Sequence, residues 1–239
     1  MISVNNLDPE KARPLALSVV VPVLNEALEL PQLCEDLHKQ IANTVHSVEV
    51  IFVDGGSVDG SPELIMTQGF RCVSSECGRA RQMNAGAVAA TGQAILFLHA
   101  DSELPINGID AVLAALDEKL WGRFDVRISG KAKMFAVIAF FINWRSRLSG
   151  IATGDQGIFV RRDAFEKVGG FPDQALMEDI AMSAMLRKIS APVCLCLKMT
   201  TSGRRWERRG IWSTILLMWR LRLLYWLGVS PQSLARRYE

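Results

Sequence analysis

Leu17-Ser-Val-Val-Val-Pro-Val-Leu-Asn-Glu26 opens with a β-branched apolar run that Pro22 interrupts before the polar Asn25 and Glu26. Apolar residues at consecutive rather than alternate positions mark a strand buried on both faces. Val48-Glu-Val-Ile-Phe-Val53 repeats the pattern and stops at Asp54-Gly-Gly56. Between the two runs, Leu30, Leu33, Leu37 and Ile41 recur at helical spacing, so residues 17–54 read as a β-α-β unit. Two further strands are expected at Phe70–Ser74 and Ala94–Leu98, separated by a helix from Arg79 to Ala90 that Gly92 ends. The fold class that follows is α/β: an open, mostly parallel, doubly wound sheet with helices on both faces.

Working outward, the second half has fewer clean strands. An apolar run, Met134–Ile142, is too short to span a bilayer and is followed by Asn143-Trp-Arg-Ser-Arg147. A helix is expected over Glu178–Ile189 after Gly169-Gly-Phe-Pro172, and a returning strand over Pro192–Met199. The whole chain has 239 residues, 49% of them apolar and 22% charged, which suits one α/β domain with an appendage and excludes disordered or fibrous classes. A net charge of +2 argues against nucleic acid as a partner. The charge is uneven, because residues 201–239 hold eight arginines against two glutamates. Five cysteines without a repeated CxxC spacing indicate neither a disulfide framework nor a zinc site, and fit a reducing cytoplasm. The first residues, MISVNNLDPEKARP, lack the apolar stretch of a signal peptide.

In doubly wound sheets ligands sit beyond the carboxyl ends of the strands, where strand-to-helix loops and helix N-termini converge. Three acids fall there: Glu26 after the first strand, Asp54 after the second and Asp101 after the fourth. Each taken singly also reads as a helix or turn cap; the three together favour a site. The absence of GxxxxGK[ST] and GxGxxG removes the main support for P-loop hydrolysis and nicotinamide binding. Asp101 in Phe97-Leu-His-Ala-Asp-Ser102 is a hard oxygen ligand at the end of an apolar strand, which suits Mg²⁺ or Mn²⁺ completed by phosphate and water. His99 reads either as a second ligand or as a hydrogen-bonded structural histidine.

Ser18-Val-Val-Val-Pro-Val-Leu-Asn-Glu26, Val53-Asp-Gly-Gly-Ser-Val-Asp-Gly60, Asn84-Ala-Gly86, His99-Ala-Asp101 and Glu178-Asp179 form an ordered set that resembles the family 2 glycosyltransferases of GT-A fold. Gly78-Arg-Ala-Arg-Gln-Met-Asn84, Phe97–Ser102 and Gly154-Asp-Gln-Gly-Ile-Phe-Val160 resemble the branch associated with radical-SAM and selenium-domain genes. The resemblance covers about residues 17–210. It implies a nucleotide-sugar donor, expected to be UDP-linked, whose base and ribose meet Pro22, Glu26 and Asp54. Arg79, Arg81 and Asn84 would lie on the donor side, the two arginines near the diphosphate. Asp101 would hold a Mg²⁺ or Mn²⁺ ion bridging that diphosphate. Asp179 would be the general base for a hydroxyl acceptor, with Glu178 beside it, giving an inverting transfer. Asp155 and Gln156 are expected on the acceptor side or as loop caps, and Met134–Ile142 as core or as an acceptor channel.

Two elements depart from the family pattern: His99 replaces the first Asp of DxD, and Ser202-Gly-Arg-Arg-Trp206 replaces QxxRW without its Gln. Arg204 and Arg205 would still reach the diphosphate and Trp206 the acceptor, while polymer synthesis loses support. The resemblance divides the chain into an extension (1–16), a catalytic domain (17–210, with a nucleotide-sugar half to 102 and an acceptor half after it) and a basic apolar C-terminal helix (211–239). Two other functions compete. A nucleotidyltransferase should carry a Gly-rich, basic loop after the first strand, where this chain has Pro22–Glu26; a non-catalytic nucleotide-sugar-binding membrane adaptor should lack Asp101 or Asp179, and both are present.

Ile211–Val229 is rich in Trp and Leu and follows four arginines. Nine Leu, Ile and Val at about −0.3 to −0.6 kcal/mol each give roughly −3 to −5 kcal/mol, while Arg220 and Arg222 cost roughly 5 to 7. Spanning is disfavoured. The segment reads either as an interfacial helix serving a lipid-linked acceptor, which would place the protein peripherally on the inner membrane face, or as a helix packed on the domain.

Overall fold

A computed structural model describes residues 16–238, with the side chains of Arg205 and Arg208 outside that description. The expected extension over 1–16 therefore lies almost wholly beyond the described residues. The strands are β1 (Leu17–Val23), β2 (Val48–Asp54), β3 (Arg71–Ser74), β4 (Ala94–Phe97), β5 (Ser102–Glu103), β6 (Trp121–Ser129), β7 (Ile158–Arg161) and β8 (Val193–Ser202). The helices are α1 (Leu30–Ala42), α2 (Ser61–Thr67), α3 (Arg79–Ala89), α4 (Gly108–Glu118), α5 (Met134–Ser149), α6 (Arg162–Val168), α7 (Glu178–Ile189), α8 (Arg204–Arg209), α9 (Ile211–Trp226) and α10 (Pro231–Tyr238), with a 3-10 turn at Gly154–Gln156.

One sheet runs in the order β3-β2-β1-β4-β7-β6-β8-β5. β1 to β4 are parallel, β7 is antiparallel to β4 and β6, and β8 returns parallel to β6. The consecutive apolar residues of β1 serve two cores. Leu17, Val19, Val21 and Val23 face the buried residues of α1, α2 and α4, whereas Val20 faces α3, α6 and α7. Strand order reverses between β1 and β4, and the loops beyond their carboxyl ends part there to leave a crevice.

The expected elements of the first half are present to within a residue or two, and β1 continues through Pro22 to Val23. α3 lies unusually close to the sheet: a Cβ on Gly86 would stand 2.3 Å from Val20 Cγ1. The second half contains a long strand with no sequence expectation, β6. Its sequence, WGRFDVRIS, carries Arg123 and Asp125, yet both are buried. They pair with each other, and Arg147 of α5 completes the compensation at 2.8 Å from Asp125, which makes burial of the charges tolerable.

The C-terminal segment is two helices rather than one, turning at Gly228 (φ 87°). α9 and α10 pack on the domain: Leu221 and Leu234 bury against Met177, joined by Leu176, Ile180, Leu217 and Met218.

Candidate active site

The crevice between the ends of β1 and β4 deepens into a cleft of about 240 Å³. Pro22 and Glu26 come from the end of β1, His99, Ala100 and Asp101 from the end of β4, and Arg79 from the start of α3. Thr153, Gly154 and Asp155 form the opposite wall with Asp179, the second residue of α7. Thr201 and Ser202 of β8, Trp206 of α8, Thr214, Met218 and Arg222 of α9, and Tyr238 of α10 close it. A hollow of about 700 Å³ lies at the amino ends of β1 and β4, but its arginines are engaged with neighbouring Asp163 and Glu166. The convergence of acids favours the crevice.

Loop chemistry explains the placement of Glu26. Asn25 adopts a left-handed conformation (φ 55°) and is latched to the loop after β2: its N–H donates to Ser57 Oγ at 2.8 Å, and Val58 N–H donates to its Oδ1 at 2.9 Å. Glu26 N–H donates to Ser61 Oγ and Ala27 N–H to Asp59. Asp54 accepts N–H bonds from Gly56 and Ser57 and so shapes that second loop. Gln82, which carried no expectation, donates to Val23 O at 2.7 Å and Val53 O at 2.9 Å, clasping the ends of β1 and β2.

Among the described residues the Asp101 carboxylate accepts a long bond from Ser102 Oγ, at 3.4 Å. Burial, and then the charge of Asp101, push the Glu26 carboxyl above its ordinary value. The mouth of the crevice thus carries negative charge that a cation would relieve. Among the described residues no group of three or more His, Cys, Asp or Glu is placed to hold a metal ion by itself. One carboxylate completed by diphosphate and water nevertheless suits Mg²⁺ or Mn²⁺, so the donor set fits. A Cβ on Gly154 would meet the His99 ring at 2.4 Å, so the imidazole rests against that glycine.

Asp179 faces the cleft with both oxygens oriented: Oδ2 accepts from Gly154 N–H at 2.8 Å and Oδ1 from Ile180 N–H at 2.7 Å. Glu178 is turned inward, 4% exposed, with Arg79 at 3.7 Å. Burial, then repulsion from Asp179, push its carboxyl up to about 7, against the opposing pull of Arg79. Met177, just ahead of the pair, is buried with φ 65°, a conformation costly for a large side chain and held by the contacts of α9 and α10.

Several expected site residues stand elsewhere. Arg81 ion-pairs with Glu76 at 2.6 Å and Asp173 at 2.9 Å on the surface, away from the cleft. Asn84 exchanges bonds of 2.8 and 2.9 Å with the Phe171 backbone. Gln156 is buried, completes the capping box of Thr153 and supports the wall behind Asp155. Arg204 pairs with Glu29 and contacts Ser202 at the rim. The backbone of Arg205 belongs to α8; its side chain lies outside the described atoms.

Two cationic residues without a site expectation, Arg145 and Arg222, stand near Asp155. Neither has an ion-pair partner among the described residues, and Arg145 Nε and Nη2 and Arg222 Nε are buried without hydrogen bonds. Burial and the like charge of Arg222 lower the Arg145 guanidinium to about 10. Asp155, on the same wall, has an unpartnered buried Oδ1, and burial raises its carboxyl. Each unsatisfied group costs about 1–3 kcal/mol, and two of the three residues, Asp155 and Arg222, line the cleft, so this end of it suits a polar ligand. An arginine within an apolar run was the available signal for Arg222.

Residues 18–169 match the family described as glycosyl transferase family 2, and the chain belongs to that family. An undecaprenyl-phosphate 4-deoxy-4-formamido-L-arabinose transferase of Klebsiella pneumoniae is 29% identical over 155 residues, covering 61% of this chain and 47% of the relative. The Aeromonas hydrophila protein of the same name is 33% identical over 107 residues, 41% of this chain and 33% of its own. This chain thus spans half or less of these curated relatives. Among solved structures, the mannosyltransferase PcManGT of Pyrobaculum calidifontis, in complex with GDP-Man and Mn²⁺, superposes with a TM-score of 0.63 at 19% identity, covering 95% of this chain and 70% of that one. S. aureus TarS 1-349 with UDP-GlcNAc gives 0.61 at 16% identity over 78% and 58%. These likenesses establish the GT-A type fold.

Proposed function

We propose that the protein transfers a sugar from a nucleoside-diphosphate sugar to an oxygen of an acceptor, by direct and inverting displacement. The observation that carries this reading is the pairing, across one cleft, of Asp101 at the end of β4 with an oriented Asp179 at the start of α7. Pro22 and Glu26 offer the walls for nucleoside, and Arg79 a guanidinium for diphosphate. A UDP-linked donor is our expectation, with Asp54 fixing the loop that borders the base. A divalent metal at Asp101 would supply Lewis-acid stabilisation of the leaving diphosphate. Asp179, its oxygens aimed by Gly154 and Ile180, accepts the proton of an attacking hydroxyl. Glu178 sits behind and positions the helix start through Arg79.

A second reading of the acceptor is favoured by Arg145 and Arg222. Their unpartnered donors suit an anionic group, and the relatives carry undecaprenyl-phosphate in their names. A phosphate oxygen already lacks its proton, so it would attack without a base. A lipid-linked acceptor under either reading places the protein peripherally at a membrane; no helix among the described residues is long and apolar enough to cross one. A nucleotidyltransferase is less well supported, because the loop after β1 holds no arginine or lysine.

The experiment is a screen of nucleotide-sugars with Mn²⁺ for thermal stabilisation, followed by assay of the best ligand for transfer to hydroxyl and phosphate acceptors. Stabilisation by one donor and loss of its sugar to either acceptor is expected. Pyrophosphate release from a nucleoside triphosphate and a sugar phosphate would instead identify a nucleotidyltransferase.

A further inference from the structure

α9 is apolar on two sides. Thr214, Leu221 and the half-buried Met218 and Tyr225 face the body, while Trp212, Leu216, Trp219, Leu223, Trp226 and Leu227 point away from it. At about 100° per residue the outward six fall within an arc of about 100°. Their exposure is extreme for such side chains: 67% for Trp212, 71% for Trp219 and 81% for Trp226. α5 repeats the arrangement. Phe135, Ile138 and Ala139 pack on β6, and Val137, Phe140, Phe141, Trp144 and Leu148 are exposed on the opposite arc. Ile211 and Ile215 of α9 pack against the cluster that Phe135, Ile138 and Ala139 of α5 form with Val126 and Ile128 of β6. Each helix therefore turns one apolar side to the body and leaves a second one exposed, and the two helices are neighbours on the same cluster.

We propose that these two stripes form one docking face that seats the protein on an anionic lipid bilayer, with the cleft on the inner flank of α9. The inference builds on the lipid-linked acceptor reading, but its evidence is separate. Eleven exposed large apolar side chains, four of them Trp, are far beyond the scattered apolar exposure of ordinary surfaces. Charge selects the occupant. Residues 131–150 and 204–238 contain twelve Lys and Arg against the single acid Glu207, whereas residues 1–200 as a whole are net negative. Lys131, Lys133, Arg220, Arg236 and Arg237 are exposed around these helices, where they can reach phosphate headgroups while the aromatic rings lie at the headgroup boundary. Arg222, on the cleft side of α9, is not part of this ring. The opposed directions of Arg220 and Arg222, awkward for a simple amphipathic helix, follow from this division.

The test uses the full chain, because α9 and α10 also wall the cleft. Flotation is measured with vesicles of phosphatidylcholine alone and of phosphatidylcholine mixed with phosphatidylglycerol, at low and high salt. The expected result is flotation with the anionic vesicles, weakened by salt, with a blue shift of tryptophan emission. Trp219→Ser with Trp226→Ser, and separately Phe141→Ser with Trp144→Ser, should each weaken binding by about tenfold or more. Val45→Ser, an exposed apolar site away from both helices, should not. Thermal melting of the same samples checks that each variant is folded. Absence of flotation, or an unaffected α5 variant, would overturn the joint face. A protein that stays down while sedimenting as a dimer that the same substitutions dissociate would make the face a contact between copies and also overturn it. Donor binding assayed in parallel separates the outcomes: flotation can fail while nucleotide-sugar binding persists, and the reverse.

Discussion

At the scale of single residues, the two acids at the start of α7 divide their labour by environment. Glu178 is buried and holds its proton up to about 7, whereas the unfolded chain loses it near 4.5. Between those values the folded state binds more protons than the unfolded one, so this group makes stability fall as pH rises. Glu178→Gln should therefore gain stability relative to wild type on going from about pH 4 to about pH 8, by up to about 3 kcal/mol, as read from denaturant unfolding at each pH. A pH-independent difference would show that Glu178 is not held protonated. Asp179→Asn keeps the shape and removes proton acceptance. With a hydroxyl acceptor, turnover should fall about 10²–10⁴-fold at unchanged donor affinity; with a phosphate acceptor the loss should be slight, and Arg222→Gln should raise the acceptor KM instead.

At the scale of elements, legibility followed chemistry. β1, β2 and β4 are buried on both faces and announce themselves as apolar runs, and α1 and α7 carry their apolar spacing openly. β6 does not, because Arg123 and Asp125 compensate each other through a partner, Arg147, that lies far along the chain. Glu26 and Asp101 were legible as acids at strand ends and Asp179 through the family resemblance, whereas Arg222 enters the cleft from α9, an element whose place in the fold the sequence left open. Arg81 has the composition of a phosphate ligand and is diverted by Glu76 and Asp173. The close seat of α3 gives a stability prediction. Gly86→Ala would place Cβ 2.3 Å from Val20 Cγ1 and 2.9 Å from Val53 Cγ2. Overpacking should outweigh the better helix propensity and cost about 1–3 kcal/mol, seen as a lower denaturation midpoint with an unchanged slope. A stabilised variant would mean that α3 can lift from the sheet without penalty.

At the scale of the whole molecule, the C-terminal helices belong to the catalytic unit. Thr214, Met218, Arg222 and Tyr238 line the cleft, and Leu221 and Leu234 press on Met177 ahead of the acid pair. A chain ending at Gly210 should lose both stability and transfer to a water-soluble acceptor; full activity without residues 211–239 would show them to be an independent appendage. Above all, the crevice at the β1/β4 reversal should bind a nucleoside diphosphate through a metal at Asp101. Calorimetric titration of UDP into wild type and Asp101→Ala, each with and without Mn²⁺, measures this most directly. Mn²⁺ should strengthen binding to wild type and do nothing for a folded Asp101→Ala; equal metal dependence in the two proteins would contradict a metal held at Asp101.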